Sequence, residues 1–409
     1  MKKLQQTLIG AAIALTSFQA AALPFAGVDA RSLAMGGTGV AAGSVANAST
    51  FNPALLAASR EDEDFNLSLA FGVSARDEFE MIDAIDTLQG PLITDFTSAI
   101  DAFTASPSIG AGSTAEQVQI AGDALTAGIT NLDNKPIDLG ANVGFNLTIP
   151  GETLGMSIFV NGRGLVSGAV NIDTADTTAI TNVINDAATL TAVTDPFATG
   201  MASTLDLTGA AVTEGGLALG TKIFGLAIGV TPKVVSIDAI SSSQQLKAAD
   251  TSVPSDTTES FSDANFDVGV AIDFGLFKIG GVGKNMIEQE YTLQNGQKII
   301  IEPQMRAGIA FDYGWVTLTM DQDLTVNKGV ITTGVAAVDE LKESQYTAVG
   351  LEFDLALVQL RAGMRSDNTG NTDDVLTAGI GIHALASVDF AVAGNDNGVE
   401  AVLQVGMRW

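Results

Sequence analysis

The chain has 409 residues, no cysteine, one histidine, and 47 acidic against 19 basic side chains, for a formal net charge of -28. The lack of cysteine excludes a disulfide framework, a thiolate zinc site and a thiol nucleophile. The acidic excess excludes the basic face that nucleic acid requires. Mean hydropathy is nevertheless positive, at +0.30, so the chain must hide apolar surface in lipid or in a large core.

In chain order, Lys2 and Lys3 precede an apolar run from Leu8 to Leu15, and Ala20-Ala21-Ala22 follows. A basic start, a short apolar stretch and small residues predict a secretory signal peptide over 1–22, cleaved after Ala22. No later apolar run reaches the roughly 18 residues of a membrane helix. Residues 23–64 are small and glycine-rich, and from Phe65 the pattern changes to strict alternation. Phe65, Leu67, Leu69, Phe71 and Val73 interleave with Asn66, Ser68, Ala70, Gly72 and Ser74. The same period of two recurs from Ile137 to Ile149, from Phe266 to Phe274 and from Leu403 to Trp409.

Alternation alone also suits a soluble sandwich. Three features point instead to a membrane barrel: a polar face rich in glycine, segments of about 9–13 residues, and the rule governing connections. The predicted strands are 65–75, 137–149, 154–168, 204–221, 225–239, 262–274, 278–291, 298–313, 315–325, 345–353, 357–366, 375–383, 387–393 and 399–409. Glu214-Gly215-Gly216 inside the fourth suggests a glycine bulge. Short turns at Pro150-Gly151, Ile223-Phe224, Gly275-Leu276, Gly314, Asp354-Leu355 and Ala384-Leu385 alternate with longer loops. Short turns on one rim and long loops on the other are the asymmetry of an outer-membrane barrel. Phe224, Phe274, Phe277, Tyr313, Trp315, Phe353 and Trp409 all fall at the short-turn ends, where an interfacial aromatic girdle belongs.

The long connections 76–136 and 169–203 switch to a helical period. Leu92, Phe96, Ile100 and Phe103 share one face, Val118, Ala121, Leu125, Ile129 and Leu132 another, and Ile180, Val183, Ile184 and Ala187 a third. Amphipathic helices need an apolar surface to cover, so the expectation is a helical extracellular cap over the barrel mouth; the alternative is that the helices pack only on each other.

The segment Ala30-Arg31-Ser32-Leu33-Ala34-Met35-Gly36-Gly37-Thr38-Gly39-Val40-Ala41, followed by Ala48-Ser49-Thr50-Phe51-Asn52-Pro53-Ala54-Leu55, resembles the FadL-like long-chain fatty acid transporter superfamily. Within it the chain is most similar to the barrel-type family labelled conjugal transfer protein TraF. The resemblance implies a fourteen-stranded barrel whose lumen holds a glycine-rich N-terminal hatch with an Asn-Pro-Ala element. It also implies a hydrophobic ligand that displaces the hatch. Here Val45-Ala46-Asn47 stands where an acidic pair is often found in that family. From the residues themselves, small side chains permit close backbone approach in a crowded lumen, and Asn52 before Pro53 suits a turn held by a side-chain amide.

Catalytic chemistry is not signalled. Gly37-Thr38-Gly39-Val40-Ala41-Ala42 imitates a dinucleotide fingerprint but no strand precedes it. His383 has no oriented partner evident in the sequence, and the acidic runs at 61–64, 77–78 and 373–374 fit no calcium-loop spacing. Charges on the inward face remain: Arg163, Arg306, Arg361, Arg365 and Arg408 with Asp267, Asp273, Asp312 and Asp321. Such charges pair and hold a plug, or else form an anion site.

The sequence therefore predicts an all-β membrane protein, a 14-stranded antiparallel transmembrane β-barrel with a plug over 23–64, barrel wall from 65 to 409 and helical extracellular loops. The expected place is the outer membrane of a Gram-negative bacterium, reached through the barrel-insertion machinery, with outer-membrane lipid around it. The expected task is passive uptake of small hydrophobic, fatty-acid-like molecules through a hatch-gated lumen, with Asn52, Pro53, Arg163, Arg306, Arg361 and Arg365 as ligand or hatch residues. No enzyme activity, cofactor or metal is expected. The rival reading is a plugged barrel that docks partners in conjugation, secretion or cell contact.

Overall fold

The computed structural model describes residues 29–58, 65–77, 80–133, 135–248, 258–294, 296–332, 339–340, 342–384 and 386–408. The predicted signal peptide, the acidic run at 61–64 and Trp409 lie outside them. The strands are β1 (Asn66–Arg76), β2 (Pro136–Ile149), β3 (Gly155–Asn171), β4 (Thr204–Ile223), β5 (Leu226–Gln245), β6 (Thr258–Asp273), β7 (Phe277–Lys284), β8 (Gln289–Thr292), β9 (Lys298–Ile301), β10 (Gln304–Asp312), β11 (Val316–Asp323), β12 (Ile331–Thr332), β13 (Tyr346–Asp354), β14 (Val358–Asp367), β15 (Val375–His383), β16 (Ala386–Gly394) and β17 (Gly398–Arg408). Fourteen of them close an antiparallel barrel, and β8, β9 and β12 form a separate three-stranded sheet. Closure is made by β1 and β17, with Asn66 opposite Arg408 and Arg76 opposite Gly398.

Alternation sorts the side chains. Leu69, Phe71, Ile158, Val160, Val230, Val234, Val268, Val270, Leu318, Leu360, Phe390 and Leu403 point outward and are all exposed, while Asn146, Asn161, Asp267, Asp321 and Gln404 point inward and are buried. A belt of large exposed aliphatic residues around the whole wall has no stable solvent but lipid. On β5 and β6 the outward face turns polar above Val234 and Phe266, where Ser236 bonds Ser262 at 3.0 Å and Ser260 donates to Asp238 at 2.5 Å. At the opposite edge Phe224, Phe274, Phe277, Tyr313, Trp315 and Phe353 are exposed, and Trp315 stacks on Phe353 at 6.2 Å. Among the described residues no helix is long and apolar enough to cross a membrane.

Two predicted strands are each divided. The stretch 278–291 leaves the wall after Lys284, where Asn285 takes φ of 51°, and 298–313 breaks at Pro303, which has no N–H to give the ladder. The freed pieces become β8 and β9. Alternation lapses at both breaks: Gly283, Lys284 and Asn285 are buried in succession, and the buried positions change from 299 and 301 to 304 and 306. The expected bulge at Glu214-Gly215-Gly216 is also absent: β4 runs unbroken for 20 residues in constant register with β3. Its ladder to β5 is interrupted instead at Leu217 and Ala218, opposite Thr231 and Pro232, where proline again removes a donor.

The wall is uneven. β3 to β6 have 17, 20, 20 and 16 residues, whereas β10, β11 and β13 have 9, 8 and 9. The long loops supply helices α4 (Met81–Thr87), α5 (Ile93–Ala105), α6 (Thr114–Asn131) and α7 (Thr174–Ala188), the plug having contributed α1 (Ala30–Ala34), α2 (Ala48–Phe51) and α3 (Leu55–Ala58). Helix α6 starts at Ser113 and α7 at Asp173, whose side chains accept from the Glu116 and Ala175 amides. Phe96, Phe103, Val118, Leu125, Ile129 and Ile180 form one core with Val170, Leu205 and Leu207 of the raised wall. Leu205 and Leu207 share their strand face with the lipid-facing Leu217, so the helices back the outer side of the wall and do not cover the mouth as expected. Over the lumen lies the small sheet. Ile299, Ile301 and Ile331 pack on the inward residues Val212, Val235 and Ile237, and Tyr291 stacks on Phe261 at 4.7 Å.

A closed barrel with this belt is expected to stay in detergent and to run at different gel positions boiled and unboiled. Mature protein recovered from a detergent-free soluble fraction, with one gel position under both conditions, would contradict the architecture.

Candidate functional site: the plugged lumen

Residues 29–58 occupy the lumen, held by inward side chains of the wall. Gln404 accepts from the Ala30 amide at 3.0 Å. Thr377 accepts from Gly36 and donates to the Ala34 carbonyl, both at 2.9 Å. Arg306 donates to the Gly37 carbonyl at 3.0 Å and to Asp323 at 2.6 Å. One Asp321 oxygen accepts from the Gly39 and Val40 amides at 2.8 and 3.0 Å, and Lys284 donates to the Thr50 carbonyl at 2.8 Å. Asn52, fully buried, donates to the carbonyls of Val40 and Val270 at 2.8 and 3.1 Å and accepts from Ala54 at 3.1 Å. Its amide therefore joins two plug segments to the wall.

The plug backbone reaches the wall because the wall lacks side chains where it lands. A Cβ at Gly229 would strike the Pro53 carbonyl carbon and the Ala54 nitrogen. One at Gly363 would meet the backbone at Met35 and Gly36. The glycine of the polar face is thus a seat, with Pro53 pressed into it.

Ion pairs knit the lower half. The plug residue Arg31 forks onto Glu352 at 2.8 and 2.7 Å and donates to the Ala42 carbonyl at 2.5 Å. Glu352 also accepts from Arg361 at 2.6 Å, Arg361 continues to Asp389 at 2.5 Å, and Asp389 meets His383 at 3.0 Å. A second cluster centres on Lys233, bonded to Glu214 and Asp267 at 3.0 Å each. Arg163 acts electrostatically on Glu214 and Lys284 within it. Arg365 pairs with Glu400 and lies over the Tyr346 ring at 5.5 Å. The six candidate residues are therefore not brought to one site. Asn52 and Pro53 belong to the plug and meet the wall, Arg306 bonds the plug backbone, Arg361 braces its ion pair, Arg163 sits in the Lys233 cluster, and Arg365 stands above the plug.

Two cavities flank the plug. Toward the short-turn rim lies a polar vestibule of about 330 Å³, lined by Arg31, Glu352, Arg361, His383 and Asp389. Toward the long-loop rim lies a smaller cavity of about 100 Å³, lined by Arg76, Asp138, Ile331, Lys342, Tyr346, Arg365, Val375 and Glu400. Lys342 enters it from the loop before β13, donating to Ser167 at 2.5 Å. Burial holds this loop ammonium below the ordinary lysine range, against the pull of Asp138 and Asp339. The sequence reading missed Lys342, since nothing in a loop's periodicity marks a residue that folds back into the lumen; Tyr346, the first residue of β13, lay within a predicted strand but was not singled out. Among the described residues no acidic or histidine cluster is arranged to hold a metal.

A closed fourteen-stranded wall around an N-terminal plug held by side chains defines a plugged transmembrane β-barrel. Residues 50–323 match the family described as "F plasmid transfer operon, TraF, protein", and the chain belongs to that family. Among solved structures the fold is similar to CymD, a monoaromatic hydrocarbon channel, at TM-score 0.54 and 11% identity over 94% of this chain and 98% of that one. It is also similar to the Ralstonia pickettii toluene transporter TbuX (0.51, 13% identity, 93% and 97% covered) and the P. putida toluene transporter TodX (0.51, 8%, 93% and 98%). A search of curated proteins gives no match.

Two outcomes follow from this geometry. Gly229→Val and Gly363→Val are expected to leave the barrel closed but unseat the plug, so that trypsin cuts after Arg31 in folded protein; an uncut plug in both variants would contradict the seat. Arg361→Leu removes the cation that Glu352 and Asp389 share, leaving Glu352 to Arg31 and Asp389 to His383, and is expected to cost about 3 kcal/mol of unfolding free energy in detergent or lipid. Lys298→Ala, which loses a half-exposed pair with Glu290, should cost under about 1 kcal/mol.

Proposed function

We propose that the protein is an outer-membrane channel of a Gram-negative bacterium through which small hydrophobic molecules pass, with the N-terminal plug as its hatch. The carrying observation is the arrangement of the lumen. A partly apolar cavity opens toward the long-loop side, a polar vestibule lies below, and between them stands a plug joined to the wall by hydrogen bonds and ion pairs but by no covalent bond. A ligand entering from outside meets Tyr346, Ile331 and Val375 before it meets plug atoms. The fold shared with toluene and monoaromatic hydrocarbon channels supports the reading. The lipid of the outer membrane and the barrel-insertion machinery are the partners this placement entails.

A second reading, docking of a partner in conjugation or secretion, is favoured by the helical layer on the outer side of the raised wall, which exposes Ile109, Ile120 and Leu190. These helices and the lumen are separate parts, and the two tasks are not exclusive.

The chain contains no cysteine, so an engineered pair reports cleanly on the hatch. Ser49 donates to Asn146 at 2.6 Å. In Ser49→Cys/Asn146→Cys reconstituted in liposomes, oxidation is expected to reduce toluene uptake at least tenfold, and reduction to restore it. Equal uptake in both states would remove the hatch from the mechanism, and no uptake by the reduced or unmodified protein would remove passage.

A further inference from the structure

The helical layer on the outer side of the raised wall has one face that the barrel does not use. A Cβ at Gly128 of α6 would strike Leu92, and one at Gly122 would strike Phe96 of α5 and Ile184 of α7. Helices α5 and α6 are therefore antiparallel, and α7 closes one flank of the pair. On α6, Val118, Gly122, Leu125 and Ile129 are buried toward the core. Ile120, Ala121 and Ala124 form a second stripe on another side of the same helix, and Ile120 is 64% exposed. With Leu92, Asp95 and Ala99 they line an open furrow of about 380 Å³ between the two helices. Alanine at 99, 121 and 124 is what leaves it empty. The helical connections 77–134 and 169–203 hold ten and four acidic side chains and no lysine or arginine. Asp95 and Glu116 stand in the first turns of α5 and α6, where the helix dipole favours them. Asp101 and Asp123 are exposed beyond the first turns, where it does not, so helix stability does not account for the acidic surface.

We propose that the furrow between α5 and α6 docks a basic amphipathic helix of another protein; this rests on the docking reading above, stands apart from passage through the lumen, and supplies the surface and the partner. Apolar side chains one turn apart on the incoming helix enter over the alanines and pack on Ile120 and Leu92. A lysine or arginine beside them meets Asp95, and the uncompensated acids of the layer draw a basic segment toward it. A second copy of this chain would bring one acidic layer against another, and an anionic lipid surface would meet it with like charge. The furrow is open along its length, at Asp95, Ile120 and Ala124, which suits a helix laid into it and not a small ligand, whose pocket encloses most of its surface. In the orientation proposed above, the partner comes from outside the cell.

The test is fluorescence anisotropy of a labelled leucine–lysine peptide of about 14 residues, patterned as an amphipathic helix. The protein is held in phosphatidylcholine nanodiscs, with the signal of empty nanodiscs subtracted and a shuffled isomer of the peptide as control. The patterned peptide is expected to bind roughly tenfold more tightly than the isomer. It is expected to weaken roughly tenfold between about 0.1 M and about 1 M salt, where charges act over about 10 Å and about 3 Å. Ile120→Lys and Asp95→Lys are each expected to weaken it roughly tenfold, with the boiled and unboiled gel positions and toluene uptake in liposomes unchanged. Equal binding of the two peptides, or binding that neither substitution weakens, overturns the site. Self-association that Ile120→Lys abolishes would make the occupant a second copy. Binding of lipopolysaccharide vesicles with Mg²⁺ that the same substitution abolishes would make it a lipid surface. Either result overturns the basic partner. None of them bears on passage, which fails only if the unmodified protein admits no toluene.

Discussion

Hydrocarbon offers no partner to a peptide N–H or C=O, so a chain that crosses lipid as strands must give every strand a neighbour on both sides. The pairing of β1 with β17 is where this protein meets that demand. Everything else follows from the closed ring: alternation must send aliphatic side chains out and polar ones in, and the inward set must satisfy itself. Asp321, Asp267, Glu352 and Glu214 do so with arginine and lysine partners or with amides of the plug.

The plug is held by direction as well as by burial. Its apolar contacts come from alanines and from Leu33, Met35, Val40, Phe51, Leu55 and Leu56, all buried, and its hydrogen bonds come from many wall strands at once. No single bond of this kind contributes more than about 1–3 kcal/mol. A plug held by many such bonds is firm as a set although each bond is weak. The vestibule beneath is more polar than the cavity above, and the plug separates two environments as well as two volumes.

The wall was the most legible part of the chain, because a period of two and the alternation of short and long connections both survive in a single sequence. The breaks at Asn285 and Pro303 read as continuous strand, although Gly283 to Asn285 are buried in succession and the buried positions change parity between 301 and 304. The helical faces in 76–136 and 169–203 were legible, but not what they cover: periodicity shows that Leu125 or Ile180 is buried and not which surface buries it. Inward charges such as Arg306 and Arg361 could be placed on a face. Their partners lie on neighbouring strands and on the plug, at sequence separations that no local pattern spans. The wall glycines read as a barrel lumen, and only the seated backbone of Pro53 and Gly36 explains why glycine in particular stands at 229 and 363.

The plug belongs to the chain before the first strand, and it touches both edges of the seam: Asn47 accepts from Ser68 on β1 at 2.9 Å, and Gln404 on β17 receives the Ala30 amide. Because it bonds to both edge strands, the stopper reaches its full set of contacts only once those edges have met, so zipping the seam and seating the cork favour one another.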